Sequence, residues 1–246
     1  AGDGQTAAVV LEVVQGEGGV RPASREFLLG ARAVCDRAGA LLIIDEVQTG
    51  FGRTGRWFAV DHWGVVPDII TTAKGLTGGY VPLAATIVRE SLARHWDERP
   101  FVHGHTYSGH ALGCAAAVAA IDVYTADRLV ERSAELGRIL LDGASELMER
   151  HPSVGHVRGK GLFVGIELVR DRRTKEPIVD PVRPGTGASP KDAVLRRCWE
   201  DGLYIMPGQG NTIILAPPLT IERSVLEEGL AILDRALVLA DAAAVN

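Results

Sequence analysis

Two short apolar runs, each leading into a polar residue, constrain the fold of this chain more than any other feature. Leu41–Ile44 leads into Asp45 and Glu46, and the run DIITT at 68–72 leads into Lys74. Continuous apolar runs of this length with β-branched residues predict buried parallel strands. Ligands of open α/β sheets bind outside the carboxyl ends of the strands, so we expect Asp45 and Lys74 to lie at a ligand site.

A carboxylate beside an amine at such a sheet edge has two explanations. One is a buried ion pair with a structural role. The other is a pyridoxal phosphate site, in which a lysine forms a Schiff base with the cofactor aldehyde and a carboxylate pairs with the pyridinium nitrogen. The carboxylate keeps the ring protonated as an electron sink, and desolvation favours the neutral lysine that attacks. The residue types alone favour neither explanation.

The order and spacing of the surrounding residues add a resemblance to a known family. The chain resembles the class III pyridoxal-phosphate aminotransferases, which include ornithine, 4-aminobutyrate and omega-amino-acid:pyruvate transaminases, in three segments: DEVQTGFGRTG at 45–55, Pro67-Asp68 and Ala73-Lys74-Gly75. The first and last segments are linked by a separation of 74 − 45 = 29 residues that fits the family. Two motifs at a fixed spacing are a specific signal, whereas Ala-Lys-Gly alone is not.

The resemblance assigns roles to the residues that follow the two runs. It implies that Lys74 forms the Schiff base with pyridoxal phosphate and that Asp45 pairs with the pyridinium nitrogen. It also implies that Val47 packs on one face of the cofactor ring and that Gln48 bonds the ring hydroxyl.

Two further segments extend the resemblance. The glycine-rich segment EVVQGEGG at 12–19 matches a family pattern, which implies that Glu12 and Glu17 lie near the active site. The segment HGHTYSGH at 103–110 matches the pattern whose threonine contacts the cofactor phosphate of the neighbouring subunit, and Thr106 holds that position. Its hydroxyl is a suitable phosphate donor. The resemblance therefore implies a homodimer with a shared active site.

The same segment raises the question of a metal site. His103, His105 and His110 fall within eight residues, but they lie in an irregular glycine-containing stretch with no cysteine or carboxylate close by. Protein metal sites need three or four converging ligands. We therefore predict no metal.

The resemblance implies an α/β fold, the fold-type I architecture of pyridoxal-phosphate-dependent transferases. Residues 1–125 are expected to form part of the large cofactor-binding domain with its mixed sheet. Residues 126–246 are expected to form the C-terminal small α+β domain.

Local signals predict several elements within these domains. Ser24 is a predicted N-cap of a helix that ends at Ala38 before Gly39, and Asp127 is predicted to cap a helix that ends at Arg150. Tyr80–Val88 is predicted to be another strand, and family analogy makes it antiparallel. In the second domain we predict strands at 154–158, 162–168, 203–206 and 212–215, helices at 190–201 and 222–241, and a charged loop at 170–189.

Composition excludes several classes of function. With 46% hydrophobic and 23% charged residues, the 246-residue chain has the composition of an ordinary globular protein. Its net charge of −5 argues against binding to nucleic acid or to an anionic membrane. Its three scattered cysteines indicate a reduced, cytoplasmic protein without a disulfide framework. No apolar run is long enough to span a membrane.

Measured against the family, we expect this chain to be about the last 55–60% of a subunit. Family members carry an upstream Gly-Ser/Thr phosphate-binding loop and an aromatic residue that stacks on the cofactor, and neither is in this sequence. Ala1, rather than a methionine, is the first residue.

One position departs from the family pattern. Many members carry an arginine before the A-P-P-L turn that clamps a substrate carboxylate, and gap-free counting puts Pro207 at its place. Three explanations stay open: a shifted alignment, another anchor such as Arg158 or a group outside this sequence, or a substrate that is not anchored there.

The prediction for function is an aminotransferase that moves an amino group from an amine or omega-amino acid to a keto acid such as pyruvate. The segments HGHTYSGH and AKGLTGGY favour this branch of the family. An aminomutase or racemase would use the same lysine and aspartate, so the motifs do not separate these reactions. A non-catalytic, truncated remnant is the third possibility.

Overall fold

The computed structural model describes residues 4–180 and 189–245. Its strands are β1 Ala8–Glu12, β2 Val14–Gln15, β3 Arg21–Pro22, β4 Leu41–Asp45, β5 Ile69–Thr72, β6 Ala85–Val88, β7 Val154–Lys160, β8 Phe163–Asp171, β9 Glu176–Pro177, β10 Met206–Pro207 and β11 Thr212–Leu215. Its helices are α1 Arg25–Ala38, α2 Glu90–Ala93, α3 Ala111–Ala126, α4 Leu129–Arg150, α5 Pro190–Glu200 and α6 Arg223–Asp241.

The chain divides into two units, and the division follows the chain order with one exception. Unit 1 comprises residues 1–14 and 23–130, and unit 2 comprises residues 15–22 and 131–246. The change of unit at 130 lies five residues after the boundary expected at 125. The glycine-rich segment 15–22 belongs to unit 2, which its place in the sequence does not indicate.

Unit 1 is built on a four-stranded sheet in the order β1-β4-β5-β6. The strands β1, β4 and β5 are parallel, and β6 is antiparallel to β5. The helix predicted between Ser24 and Gly39 is confirmed: the Ser24 hydroxyl accepts the N–H of Phe27 at 3.1 Å, and Gly39 ends α1 in the left-handed region at φ 65°. Parallel strands need such a crossover.

The carboxylate of Asp68 ties this sheet to the helix that crosses it. Its Oδ2 accepts from Arg32 of α1 at 2.7 Å and from the N–H of Leu42 in β4 at 2.8 Å. Its Oδ1 accepts from Arg89 at the end of β6 at 2.9 Å. One buried side chain thus fixes the amino end of the sheet and leaves the opposite, carboxyl end to the loops.

Two local predictions for unit 1 are wrong. The strand expected at Tyr80–Val88 is confined to Ala85–Val88, because the preceding stretch follows glycines in left-handed conformations and contains Pro82, which has no N–H to donate. Asp127 does not begin α4; it is the C-cap residue of α3, and Arg128 at φ 50° separates the two helices. A residue in that conformation cannot continue a right-handed helix.

Unit 2 has an antiparallel sheet in the order β10-β11-β8-β7, with β9 pairing to β8. The helices α4, α5 and α6 complete it, and α5 begins with a capping box between Ser189 and Asp192. The strand expected at 203–206 is β10 at Met206–Pro207 instead, and β9 lies in the predicted loop 170–189. The part of that loop at 181–188 lies outside the described residues.

The largest fully buried aliphatic side chains in the core of unit 2 are Leu147, Leu162, Ile166, Leu168, Ile213, Leu233 and Leu237. The helices α4 and α6, the strands β8 and β11 and the turn before β8 supply them, and β8 is buried on both faces over residues 163–166. In the described part of the chain, no helix combines the length and apolar character needed to cross a bilayer.

Candidate active site

The candidate site lies at the carboxyl edge of the unit 1 sheet, where backbone register brings polar residues into line. Glu12 of β1 is the register partner of Asp45 in β4, and Asp45 is the register partner of Thr71 in β5. Lys74 follows Thr71 by three residues. Parallel pairing therefore brings a carboxylate and an amine from two neighbouring strands to one edge, as the sequence predicts.

Asp45 is half-buried and its carboxylate is only partly used by the protein. Its Oδ1 accepts the backbone N–H of Val47 at 2.8 Å. Within the described residues, its Oδ2 has no hydrogen-bond partner. This arrangement fixes the orientation of the side chain and keeps one oxygen for a ligand.

Lys74 begins a 3-10 turn, Lys74–Thr77, in a conformation that is rare for a residue with a side chain. Its φ is 39°, in the left-handed region. The side chain is exposed, contrary both to the buried lysine of the ion-pair explanation and to the desolvated lysine expected of the cofactor site. It makes no ion pair or hydrogen bond in the described part of the chain. It borders an open cavity of about 610 Å³ that is also lined by Thr77, Gly79, Val81 and Leu83.

Glu46 organises the loop that follows Asp45. It is 0% exposed, and its carboxylate accepts from the hydroxyl of Thr49 and from the N–H groups of Ala59 at 3.0 Å and Val60 at 2.8 Å. Burial raises the pKa of Glu46, while these three donors lower it. The carboxylate thereby closes the loop that begins with Val47. Glu46 lies inside the motif at 45–55, but the sequence did not indicate this structural role.

Tyr124 is a second residue that sequence reasoning missed. Its hydroxyl donates to the carbonyl of Gly75 at 2.9 Å, across 49 residues of sequence. A lone tyrosine in an otherwise alanine-rich helix is the signal that could have drawn attention to it.

The other predicted residues are distributed as follows. Val47 and Gln48 are half-buried directly after Asp45. Thr106 is exposed in the turn between His105 and Ser108, and its hydroxyl makes no hydrogen bond in the described part of unit 1. Glu17 is exposed and belongs to unit 2.

Arg158 is engaged inside unit 2. Its Nη1 donates to Glu167 at 2.5 Å and its Nε donates to the carbonyl of Gly19 at 2.8 Å. Burial lowers the pKa of Arg158 and Glu167 opposes that effect. Pro207, at the place of the family's arginine, is exposed in β10. In residues 4–180 and 189–245, no three His, Cys, Asp or Glu side chains are grouped to hold a metal ion.

These residues fit the two ends of a pyridoxal phosphate molecule. An amine without a protein partner matches the cofactor aldehyde, and a carboxylate with an unpartnered oxygen matches the protonated ring nitrogen. Both groups lie at the strand ends where ligands of such sheets bind.

Comparison with known proteins gives the same family as the motifs. The family described as "Aminotransferase class-III" matches residues 1–237. The adenosylmethionine-8-amino-7-oxononanoate aminotransferase of Anoxybacillus flavithermus is 39% identical over 240 residues, which are 95% of this chain and 51% of that protein. The leucine/methionine racemase of Thermococcus litoralis is 38% identical over 231 residues, 94% of this chain and 49% of that one.

A solved structure agrees with these relatives. The amine transaminase of an uncultivated Pseudomonas species, in its pyridoxal-phosphate-bound form, superposes with a TM-score of 0.84 at 41% identity and covers 96% of this chain and 52% of that chain. The fold is therefore that of pyridoxal-phosphate-dependent transaminases. The chain spans about half the length of the curated relatives it matches.

Proposed function

We propose, from the premise that the chain belongs to the class III aminotransferase family, that it forms the lysine-bearing part of a pyridoxal-phosphate-dependent transaminase. Unit 1 is then part of the large cofactor-binding domain, and unit 2 is the small domain. The observation that carries this proposal is the register of β4 and β5, which brings Asp45 and Lys74 to one sheet edge with an oxygen and an amine available.

Each residue of the site has a distinct task in the proposed reaction. When bound, pyridoxal phosphate supplies an aldehyde that takes the substrate amine and a ring that accepts electrons. Lys74 is the covalent attachment point, and its Nζ then moves the proton at the substrate carbon that bears the amino group. Asp45 holds the proton on the ring nitrogen. Val47 would contact the ring face and Gln48 the ring hydroxyl, while Glu12 is the register neighbour of Asp45.

We propose an amine or omega-amino acid as the donor and a keto acid such as pyruvate as the acceptor. The segments at 73–80 and 103–110 support this branch, and so does the likeness to an amine transaminase. Because Pro207 cannot clamp a carboxylate and Arg158 is held by Glu167, we propose that neither residue anchors the substrate. The three free cysteines agree with a reducing, cytoplasmic location.

The racemase among the relatives favours one alternative reaction, since the same lysine and aspartate would serve it. The two reactions differ in the form of the cofactor that remains after the amino donor has reacted. A transaminase incubated with donor alone accumulates pyridoxamine phosphate, and a racemase does not. Chromatography of the released cofactor distinguishes them.

The attachment of the cofactor is tested by borohydride reduction of the full-length protein followed by peptide mass analysis. We expect the reduced cofactor on Lys74, and Lys74→Arg should carry none and lose turnover. Lys175→Arg is the matched control, because Lys175 is also exposed and left-handed, at φ 60°. Turnover by Lys74→Arg at the wild-type rate would refute the proposal, and a wild-type protein that binds no cofactor would indicate a non-catalytic chain.

The proposed homodimer shares its sites through Thr106, which is exposed and reaches the phosphate of the partner's cofactor in this proposal. Thr106→Val should weaken cofactor binding. Mixing Thr106→Val chains with inactive Lys74→Arg chains should restore one intact site per hybrid dimer, because one chain supplies Lys74 and the other supplies Thr106. Activity that is no higher than that of the separate variants would refute the shared site.

A further inference from the structure

The turn that carries Lys74 has an unfavourable backbone conformation that its surroundings must maintain. For a residue with a Cβ, the left-handed region costs about 1–2 kcal/mol, and Lys74 lies there at φ 39°. Within the turn, Leu76 N–H donates to Ala73 at 2.8 Å and Gly79 N–H donates to the carbonyl of Lys74 at 3.2 Å. Such conformations persist where the structure around them over-determines the backbone.

A hydroxyl from a distant helix supplies one of these constraints. Tyr124 of α3 is 8% exposed, and its Oη donates to the carbonyl of Gly75, the residue after Lys74, at 2.9 Å. The same carbonyl accepts the N–H of Gly78 at 3.0 Å. Both acceptor positions of the Gly75 carbonyl are therefore in use, and the Gly75–Leu76 peptide cannot rotate without breaking a partly buried hydrogen bond.

Aromatic packing holds the tyrosine against the turn. Its ring centroid is 6.0 Å from those of Phe51 and Trp57. A Cβ added to Gly75 would lie 2.9 Å from the Cβ of Phe51 and 3.4 Å from the Tyr124 hydroxyl, so glycine is required at this close approach. The contacts of the ring with Phe51 and Trp57 thus hold the hydroxyl beside the turn.

Burial keeps this hydroxyl in the donor form. Burial raises the pKa of Tyr124, and the guanidinium of Arg53 partly opposes that effect. Burial lowers the pKa of Arg53 to about 10. Near neutral pH the phenol is therefore protonated and the guanidinium is charged, which is the state in which Tyr124 donates to a carbonyl.

We propose that Tyr124 is a positioning residue for Lys74, and that its hydroxyl holds the turn so that the lysine amine meets the cofactor and the substrate carbon. This inference rests on the proposed function, because it assigns Lys74 the covalent and proton-moving tasks. Tyr124 does not contact the reacting atoms in this assignment. It acts through the Gly75 peptide, and small misplacements of a reacting group are costly to rate.

The test is Tyr124→Phe in the full-length protein, which keeps the ring and removes the hydroxyl. We expect kcat per borohydride-trapped cofactor to fall about tenfold, KM for the amino donor to stay within twofold, and the rate of cofactor attachment to Lys74 to fall about as much as kcat. Without cofactor, the amides of Gly78 and Gly79 should exchange with solvent about tenfold faster. Tyr204→Phe is the control, since Tyr204 is exposed in unit 2.

Each contrary result has a distinct meaning. A kcat per trapped site and an attachment rate both within twofold of wild type would overturn the inference, even if the variant were less stable. Equal amide exchange in the two proteins would also overturn it, because the hydroxyl would then not hold the turn. Failure of the proposed function looks different: the wild-type protein itself would then trap no cofactor on Lys74.

Discussion

Asp45 and Thr71 are register partners in the parallel pair β4–β5, and this pairing brings the Asp45 carboxylate to the strand beside the one that leads to Lys74. The relationship is a backbone property: a shift of either strand by one residue would turn the side chains of that strand to the other face. The hydrogen bonds that Asp68 accepts from Leu42 N–H and Arg89, at the opposite end of these strands, support that register. The sheet thus fixes the relative positions of the two groups before any ligand binds.

The first prediction concerns the charge of Asp45. Asp45→Asn keeps the side-chain shape and the oxygen that accepts Val47 N–H, but removes the charge that stabilises a protonated ring. We expect kcat to fall by roughly 100-fold, the magnitude typical of losing one preorganised electrostatic contact. Steady-state kinetics of the cofactor-saturated variant measures this. Asp122→Asn, on the exposed surface of α3, should leave kcat unchanged.

The second prediction concerns space at Gly75. Gly75→Ala puts a methyl group 2.9 Å from the Cβ of Phe51, so the turn or the loop must move. Overpacking of this kind costs about 1–3 kcal/mol, and chemical denaturation should show that loss. Gly30→Ala is the control: Gly30 lies in α1 with nothing within 4 Å of the added Cβ, and alanine should stabilise the helix by about 0.5–1 kcal/mol. Equal stability of the two variants would contradict the prediction.

The third prediction concerns pH and Asp68. Burial raises the pKa of this carboxyl, but the N–H of Leu42 together with Arg32 and Arg89 outweighs burial and holds the pKa below its ordinary value. The stabilisation is therefore complete above the unfolded pKa of about 3.9 and is lost as pH falls through the lower folded value. Asp68→Asn should cost about 2–3 kcal/mol at pH 7.

Denaturation of wild type and Asp68→Asn across a pH series checks this prediction. The difference between them should shrink as pH falls below about 4. Asp36→Asn is the control, because Asp36 pairs with the same Arg32 at 2.8 Å but is 62% exposed. A difference that stays constant down to the folded pKa would show that the charge of Asp68 does not stabilise the sheet.

The sequence predicted those parts of the fold that local chemistry determines. Ser24 and Gly39 bound α1 because a hydroxyl cap and a left-handed glycine act within one turn. The β-branched runs gave β4 and β5, and with them the edge that holds Asp45 and Lys74. Asp127 misled because an aspartate can follow one helix as readily as it precedes the next, and the conformation of Arg128 decides between these positions.

Contacts between distant segments could not be predicted from the sequence. The Tyr124–Gly75 hydrogen bond joins residues 49 apart, and no periodicity or cap signals such a pair. The membership of segment 15–22 in unit 2 likewise reflects contacts between distant residues: Arg158 Nε donates to the Gly19 carbonyl, and Arg21 pairs with Glu167 at 3.4 Å. In both cases, a side chain donates to a backbone carbonyl that only the folded chain brings within reach.

The fourth prediction compares two glycines on the same helix, α4. A Cβ at Gly137 would overlap the backbone of Gly161 in the β7–β8 turn, whereas a Cβ at Gly143 would meet only the flexible end of Leu230, 2.6 Å from its Cδ1. Helix propensity favours alanine over glycine by about 1 kcal/mol at either site. Backbone cannot yield as a side chain can, so we expect Gly137→Ala to destabilise unit 2 by about 3 kcal/mol or more and Gly143→Ala to change its stability by less than about 1 kcal/mol. Thermal unfolding of the two variants measures the contrast. Equal unfolding midpoints of the two variants would show that the β7–β8 turn can shift to accept the methyl group. The close approach of α4 to Gly161 would then not hold that turn in place.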